Sequence, residues 1–462
     1  MVNGNDQRPN ILFIMDDQHR FDWLGCAGAD WVNTPNIDRL AARGMRFTNC
    51  YTNAPVCAPA RIALATGKQI TRVGALSNGA YLPLSAPTYY QRLRDHGYYV
   101  GCVGKLDLAK PDRYNGIRGD RPITYAWGFT HPIECEGKMH AGGYSEPIGP
   151  YTAHLHERGL LQKFHEDYKQ RSMTGWAIDT RDSVLPTEDF EDAYIGRRAA
   201  EWIADIPDDF PFHLFVSFVG PHDPFDPPTE YAERYRGADM PEPIPPAGED
   251  KPESIRRKAE ALEHAGRTPE QIAEARRQYS AAVEQIDDEV GRMIGALEQR
   301  GMLENTYIIF SSDHGEMLGD HGLYTKSVPF EAAAHVPLII AGPGIPAGRT
   351  SDAMVELIDL NPTICDLAGV EPAPSLDARS LAPVLREEAN EHRSEVLSML
   401  MGFQFVCDGR HKLIQYVNAG NALYDIEQDP AEQRNVVDEH PDVARRLGQR
   451  LNQRLREGAW HH

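Results

Sequence analysis

Charged and imidazole side chains follow four short apolar segments of this 462-residue chain. Asn10 to Met15 runs into Asp16 and Asp17, Tyr98 to Val103 into Gly104 and Lys105, His213 to Val219 into Gly220, Pro221 and His222, and Tyr307 to Phe310 into Ser311, Ser312, Asp313 and His314. Three carboxylates and an imidazole gathered in one place would form an oxygen-rich site. Such a site suits a hard or borderline divalent cation, namely Ca²⁺, Mg²⁺ or Mn²⁺.

Each of these residues also has an ordinary structural explanation. An Asp pair after a strand is more often a turn or a helix cap. A histidine in that position is usually a loop residue with satisfied hydrogen bonds, and Lys105 alone would be a solvated side chain. The joint occurrence at four segment ends favours a functional site.

Cys57 and Arg61 form a second candidate group, within Val56 to Gly67. Pro59 can occupy the first turn of a helix, so Cys57 would lie at a helix N-terminus, where anions are favoured. Arg61, one turn later, can direct its planar guanidinium at a tetrahedral oxyanion. The structural alternative is a buried, inert thiol, which describes most cysteines.

The four apolar segments have the length and continuous apolar character of strands covered on both faces. A long amphipathic helix precedes the fourth, with Thr268 as N-cap, Pro269 at the first helical position and Gly301 beyond its end. Strands that alternate with helices indicate an α/β fold with a largely parallel sheet. In such sheets ligands bind at the carboxyl ends of the strands, where the candidate residues lie.

Composition excludes several classes of protein. Lys and Arg number 47 against 68 Asp and Glu, a formal net charge of -21, which argues against broad binding of nucleic acid or anionic membranes. No apolar run approaches the roughly 18 to 20 residues of a membrane span. Met1 to Asp6 lacks the basic start and apolar stretch of a secretory signal, so we expect a cytoplasmic protein. Seven scattered cysteines without a CxxC pair predict reduced thiols.

Cys57-x-Pro59-x-Arg61, followed by Leu64-Ala65-Thr66-Gly67, resembles the signature of the sulfatases, in which the cysteine is oxidised to formylglycine after translation. Further segments with this similarity are Pro9 to Ile11 leading into Asp16 and Asp17, Thr34 to Ala41, Gly44 to Asn49, Ser312 to Gly319 and Leu423 to Pro430. The resemblance therefore spans nearly the whole chain. It implies the alkaline-phosphatase-like fold, in which a large, mixed and mostly parallel sheet is flanked by helices. It also implies a catalytic domain over residues 1–375 and a small C-terminal α+β domain with an antiparallel sheet over residues 376–462.

The resemblance also assigns roles to individual residues. The implied metal ligands are Asp16, Asp17, the modified Cys57, Asp313 and His314. The implied sulfate contacts are Arg61, Lys105, His222 and Lys326, and Asn78 matches a position that can face the substrate. Many sulfatases have Asn where this chain has His314, and a nitrogen ligand moves the preference from Ca²⁺ towards Mn²⁺.

The implied activity is hydrolysis of a sulfate monoester of a small organic, aryl or sugar alcohol. Hydrated formylglycine, activated by the cation, attacks sulfur, and His222 with Lys326 protonates the leaving alkoxide. A phosphonate monoester or phosphodiester hydrolase with the same nucleophile is the alternative, and a catalytically silent anion-binding homologue is a third interpretation. The implied partner is the formylglycine-generating enzyme. The sequence predicts no nucleic-acid or membrane partner and leaves open whether the chain forms a homo-oligomer.

One residue departs from the family pattern. Relatives usually read Gly-Lys-x-His where this chain reads Gly104-Lys105-Leu106-Asp107. Asp107 could act as the base that the histidine supplies elsewhere, or it could recognise a cationic or hydroxyl-rich part of the substrate. It could also simply form a salt bridge with Lys105 or Lys110.

Overall fold

A computed structural model describes residues 8–177, 179–246, 251–263 and 267–459. Met1 to Asp6, on which the expected location in the cytoplasm rests, lies outside this range, so that expectation stays a prediction. Within the described ranges, no helix combines the length and the apolar character needed to cross a membrane.

The larger of two sheets has eight strands. They are β1 (Asn10–Asp17), β2 (Met45–Tyr51), β3 (Tyr99–Lys105), β4 (His131–Cys135), β5 (Phe212–Pro221), β6 (Thr306–Ser312), β7 (His335–Ala341) and β8 (Arg349–Glu356), in the spatial order β4-β3-β5-β1-β6-β7-β2-β8. The four strands predicted from sequence are the neighbours β3, β5, β1 and β6, and all their pairings are parallel. Their carboxyl ends therefore meet at one edge, as predicted. Strand β7 runs antiparallel to both β6 and β2, which makes the sheet mixed.

Helices flank the two sheets and connect or follow their strands. They are α1 (Pro35–Arg43), α2 (Cys57–Thr66), α3 (Ile70–Val73), α4 (Tyr89–Asp95), α5 (Pro122–Ala126), α6 (Lys138–Gly142), α7 (Pro150–Glu157), α8 (Leu161–Thr174), α9 (Glu191–Asp205), α10 (Thr229–Tyr235), α11 (Glu253–Glu263), α12 (Pro269–Gln299), α13 (Glu331–Ala334), α14 (Leu360–Leu367), α15 (Ala382–Leu385) and α16 (Pro441–Ala459). Short 3-10 turns lie at Gly25–Ala27, Thr187–Asp189, Leu303–Asn305, Asp320–Gly322 and Leu357–Asp359.

Strand β1 shows why the central strands are apolar throughout. Its residues Ile11, Phe13 and Met15 belong to one buried cluster, whereas Leu12 and Ile14 belong to another. Successive side chains of a strand point to opposite faces, so both faces of the sheet are covered.

Helix α12 begins and ends as its sequence predicts. The Thr268 hydroxyl accepts a hydrogen bond from the Gln271 N–H, and the Gln271 side chain accepts one from the Thr268 N–H, which completes a capping box. Gly301 follows the helix with φ of 64°, a left-handed conformation that glycine adopts without strain. The hydroxyl of Tyr279, on the predicted apolar face, donates to the Gln18 carbonyl at 2.6 Å. The helix therefore holds the segment that directly follows β1.

The second sheet is antiparallel and C-terminal. Its strands are β9 (Val396–Leu400), β10 (Phe403–Cys407), β11 (His411–Tyr416) and β12 (Gly420–Asp425), in the order β12-β11-β10-β9. The sequence predicts strands at Gly402 to Val406, Lys412 to Val417 and Ala422 to Tyr424 and a helix over Asp442 to Leu455, which β10, β11, β12 and α16 confirm; it does not predict β9. The predicted boundary between residues 375 and 376 stays a prediction. Leu381, Val384 and Leu385, which follow it, pack into the core of the large sheet.

A buried ion pair joins the C-terminal segment to the end of β8. The Arg393 guanidinium donates to both carboxylate oxygens of Asp359, one of them at 2.7 Å, and His392 Nε2 lies 3.0 Å from the same carboxylate. Burial opposes ionisation of Asp359, but Arg393 and His392 outweigh it and hold the pKa of the carboxyl well below its usual range.

We predict that Arg393→Ala lowers the free energy of unfolding by about 3 to 5 kcal/mol at pH 7, because it leaves a buried carboxylate without its cation. Since the folded pKa of Asp359 is depressed, the stabilisation is complete above the unfolded pKa of about 3.9 and is lost as pH falls through the folded pKa. The difference between wild type and variant, measured by urea unfolding, should therefore narrow below about pH 4. Arg43→Ala, which removes an exposed pair with Glu304, is the control and should cost at most about 1 kcal/mol. An equal loss in both variants would contradict the prediction.

Candidate active site

Four side chains converge at the carboxyl edge of the large sheet. Asp17 ends β1, Asp313 and His314 follow β6, and Cys57 is the first residue of α2. One donor atom from each lies within 4.8 Å of the other three, and all four residues are buried. The Cys57 Sγ lies 3.2 Å from His314 Nε2 and 3.7 Å from Asp17 Oδ1. The structure thus brings together four of the five predicted metal ligands.

The imidazole of His314 presents an unprotonated nitrogen to this group when it is neutral. Its Nδ1 lies 3.0 Å from the Gly315 carbonyl oxygen, which can only accept, so Nδ1 carries the hydrogen. Nε2 then faces Cys57, Asp17 and Asp313 with its lone pair. A second hydrogen bond that fixes the tautomer is typical of metal-binding histidines.

Asp16, the fifth predicted ligand, lies outside the group of four, and His19 orients its carboxylate. Its Oδ2 lies 2.6 Å from His19 Nδ1, and His19 Nε2 lies 3.1 Å from the Trp23 carbonyl oxygen. Its other oxygen, Oδ1, is buried without a hydrogen-bond partner in the described part of the chain. A buried carboxylate oxygen without a partner is costly, and a cation would satisfy it. Together with the oxygen and nitrogen donors beside it, this atom makes the site fit a divalent cation.

Arg61 is buried and forms hydrogen bonds with two of these carboxylates, those of Asp17 and Asp313. Its Nε donates to Asp313 Oδ2 at 2.8 Å, and Nη1 donates to the Ser217 hydroxyl at 2.6 Å and to the Lys105 carbonyl at 2.9 Å. Its Nη2 reaches Asp17 Oδ2 at 3.4 Å. The guanidinium is 2% exposed. The residue predicted to contact sulfate therefore already bonds to residues of β1, β3 and β5 and to Asp313 directly after β6.

Lys105 lies between two carboxylates at the end of β3. Its ammonium donates to Asp17 and lies 3.1 Å from Asp107 Oδ2. The preceding residue, Gly104, has φ of 105°, and a Cβ there would lie 2.0 Å from the Ser217 carbonyl oxygen. Glycine is thus required for β3 to approach β5 at this point, directly before the predicted sulfate contact.

Asp107 forms salt bridges with Lys105 and Lys110, as the third interpretation of this residue expected. Its carboxylate pairs with Lys105 and also accepts from the Lys110 ammonium. Burial opposes ionisation, but the two lysines outweigh it and lower the pKa of Asp107. A carboxylate stabilised in this way is a weak base, although its role in the reaction stays a prediction.

The thiol of Cys57 lies in a field of positive charge. Burial and Asp17 oppose its ionisation, but Lys105, Lys110 and Lys326 outweigh them and lower the pKa of Cys57 well below its usual range. The side-chain oxygen of Asn78 accepts from the Ala58 N–H at 3.1 Å. The residue predicted to face the substrate thus also supports the first turn of α2, which carries Cys57.

His222 and Lys326 meet above this group. The Lys326 ammonium contacts His222 Nε2, and it also donates to the side-chain oxygen of Gln18. His222 Nδ1 lies 2.6 Å from the Asp223 carbonyl oxygen, so Nδ1 carries a hydrogen. The histidine therefore turns Nε2 towards Lys326 and the open side of the site.

Gln18, Asp223 and Glu316 are parts of the site that the sequence did not reveal. The Gln18 amide donates to Asp223 Oδ1 at 3.1 Å and to Glu316, and the Gln18 N–H donates to Asp313 Oδ1 at 3.2 Å. All three are buried and directly follow, or lie within three residues of, a predicted site residue. That adjacency is the only signal that could have indicated them.

Strained backbone surrounds the predicted residues. Gln18, Asp107, Thr325 and Ser327 all have φ between 54° and 74°, a region that residues other than glycine seldom adopt. Each lies within two residues of a predicted site residue. Such conformations cost of order 1 to 3 kcal/mol and cluster at functional sites.

A cavity of about 540 Å³ adjoins the charged group. Lys105, Asp107 and His222 line it, together with Arg113, His140, Tyr144 and other residues of the segment between Ala109 and Tyr144. The sequence is irregular from about Leu106 to Asp192 and predicts pocket walls around Trp127 to Tyr194; the cavity is lined by residues up to Tyr144, so only the first part of that range contributes. The volume is typical of sites that hold small molecules.

Comparisons with known proteins agree with this geometry. The sequence model of the family described as sulfatase matches residues 9–370, and that described as N-sulphoglucosamine sulphohydrolase, C-terminal, matches residues 319–458. A choline-sulfatase of Rhizobium meliloti is 31% identical over 93% of this chain and 83% of its own. An arylsulfatase of Clostridium perfringens is 28% identical over 93% of this chain and 90% of its own.

Solved structures show the same fold. A phosphonate monoester hydrolase of Agrobacterium radiobacter superposes with a TM-score of 0.80 at 25% identity, covering 98% of this chain and 96% of that one. One from Silicibacter pomeroyi also gives 0.80, at 26% identity, covering 97% and 96%. The fold is thus the alkaline-phosphatase-like one. With a family match over most of its length and relatives that are named sulfatases, the chain belongs to the sulfatase family and is a sulfuric ester hydrolase.

Proposed function

We propose that this enzyme hydrolyses the sulfate monoester of a small organic alcohol, using formylglycine formed from Cys57 and one divalent cation. The observation that carries the proposal is the placement of Cys57 at the start of α2, with Asp17, Asp313 and His314 donors within 4.8 Å. A structural cysteine would need none of these partners. The choline-sulfatase and arylsulfatase names of two relatives support a small substrate.

Asp16, Asp17, Asp313 and His314 would hold the cation, together with the side chain at position 57. When bound, the cation lowers the pKa of a hydroxyl group on hydrated formylglycine, which supplies the nucleophile at neutral pH. Oxidation of Cys57 requires the formylglycine-generating enzyme as a partner during maturation.

Lys105 and Lys326 supply positive charge for the sulfate oxygens. Both ammonium groups are nearly buried, with side chains 6% and 11% exposed, so their attraction to an anion is stronger than in water. Neither has to move far, because Asp17 and Gln18 already hold them at the site.

His222 would protonate the leaving oxygen. Its Nδ1 donates to the Asp223 carbonyl, so Nε2 is the nitrogen that can pass a proton to the leaving oxygen, and the Lys326 ammonium in contact with Nε2 supplies that proton. As the sulfur–oxygen bond breaks, the electron pair stays on the alcohol oxygen, and the proton from the His222 and Lys326 pair neutralises it.

The proposed nucleophile is tested by two measurements, the intact mass of the enzyme and its turnover of a sulfate ester. Intact mass of the purified enzyme should show position 57 lighter by the replacement of a thiol with an aldehyde. Cys57→Ala should lower kcat/KM for 4-nitrophenyl sulfate by at least about 10³-fold, because the variant has no nucleophile. Cys26→Ala, at a half-buried cysteine outside the site, should leave turnover unchanged. Turnover retained by Cys57→Ala would refute the proposed nucleophile.

Phosphonate monoester hydrolysis is the second candidate, favoured by the two structural neighbours of that activity. Lys105 argues for sulfate, because phosphonate hydrolases of the family tend to lack a lysine at this position. We predict a higher kcat/KM for 4-nitrophenyl sulfate than for 4-nitrophenyl phenylphosphonate, measured in parallel with the same leaving group. Lys105→Ala should narrow that ratio. A wild-type ratio in favour of the phosphonate would establish the second candidate instead.

A further inference from the structure

Lys138 is a buried lysine beside the site that neither the motifs nor the proposed chemistry uses. It begins α6, shortly after β4, and is 4% exposed. Lysine is seldom buried to this degree unless its charge is paired. Its ammonium therefore needs polar or charged partners, and those partners indicate the role of the residue.

The oxygen atoms that contact the Lys138 ammonium belong to the segment that carries His222, and the Phe190 ring lies 5.4 Å from it. Nζ donates to the His222 carbonyl at 3.1 Å and to the Pro224 carbonyl at 2.7 Å, and it lies 2.7 Å from Asp226 Oδ1. Asp226 is 1% exposed, and its other oxygen accepts from the Tyr168 hydroxyl at 3.0 Å. The two carbonyls accept hydrogen bonds from the ammonium, and the Asp226 carboxylate pairs with its charge.

These contacts lie on both sides of the Asp223 carbonyl, which orients the imidazole of His222. The carbonyls bound by Lys138 belong to the residues on either side of Asp223, and the Asp223 carbonyl holds His222 Nδ1 at 2.6 Å. Asp192 supports the same strand end, since its Oδ1 accepts from the Val219 and Gly220 N–H groups. The backbone around His222 is therefore fixed by buried charges that lie outside the reaction itself.

We propose that Lys138 is a positioning residue for His222, which holds the imidazole where Nε2 can protonate the leaving oxygen. The inference rests on the proposed role of His222 as general acid. Lys138 also lines the cavity, but its ammonium is occupied by three protein oxygens, so it acts through His222 and not on the substrate.

The test depends on the leaving group. A 4-nitrophenolate is stable enough to leave without a proton, whereas the alkoxide of an alkyl sulfate needs the acid. Lys138→Met should therefore lower kcat/KM for an alkyl sulfate about tenfold or more beyond its effect on 4-nitrophenyl sulfate. Kinetics across a series of aryl and alkyl sulfates would show this as a steeper dependence on the basicity of the leaving group.

Because Lys138→Met removes the nearer cation of the buried Asp226 carboxylate and leaves only the Arg171 guanidinium, 3.8 Å away, the double variant Lys138→Met/Asp226→Asn is measured beside it. The amide that replaces the carboxylate can still accept from Tyr168, and the double variant has no unpaired buried charge. It should show the same selective loss on alkyl sulfates. Lys163→Met is the matched control, since Lys163 is an exposed lysine that donates to a carbonyl, that of Val184, at 2.8 Å. It should leave the whole series unchanged.

Equal losses on all substrates in the double variant would overturn the proposal and leave Lys138 a structural residue. His222→Ala separates this outcome from failure of the underlying mechanism. If His222→Ala also shows no dependence on the leaving group, His222 is not the acid and the proposed function fails at that step. If His222→Ala is selective and the Lys138 variants are not, only the role of Lys138 is refuted.

Discussion

The guanidinium of Arg61 is the interaction on which the rest of the site depends. It ties helix α2 to Asp17 at the end of β1, to the Lys105 carbonyl of β3, to Ser217 of β5 and to Asp313 after β6. Cys57 lies one turn before Arg61 on the same helix. The proposed nucleophile is therefore placed by the same group that partly neutralises two buried carboxylates. Removing one partner of such a buried ionic group costs several kcal/mol, about 3 to 5 where it has been measured.

Charge explains how a chain of formal net charge -21 can hold a small anion. Arg61 and Lys105 offset Asp17 and Asp313 inside the protein, and these residues would share the site with a dication. Fields are strong in such a low-dielectric pocket and weak outside it, where salt screens them. The acidic exterior opposes binding of extended polyanions, whereas the pocket attracts one small anionic group. The two properties act over different distances and do not conflict.

The features of the site that could be predicted from the sequence are those located by strand ends or by a motif. The continuous apolar character of β1 and its parallel neighbours indicated where Asp17 and His314 would lie, and Cys57 was found by its motif. Side chains whose partners come from distant loops were not predictable. Gln18 is indicated only by its adjacency to Asp17, and Lys138 has no motif around it; only the packed structure shows that they bond to segments more than 80 residues away. Strand β9 was not predicted, although it is as long as β10, with five residues each.

A crystal structure of the mature enzyme with Mn²⁺ and a sulfate analogue, recorded with anomalous scattering, tests the central claim most directly. The account predicts one anomalous peak bound by Asp16, Asp17, Asp313, His314 and an oxygen on residue 57. It also predicts that Arg61 keeps its bonds to Asp313 and Ser217 and that Lys105 and Lys326 contact the analogue. A metal peak elsewhere, or an analogue that contacts neither Lys105 nor Lys326, would contradict the account.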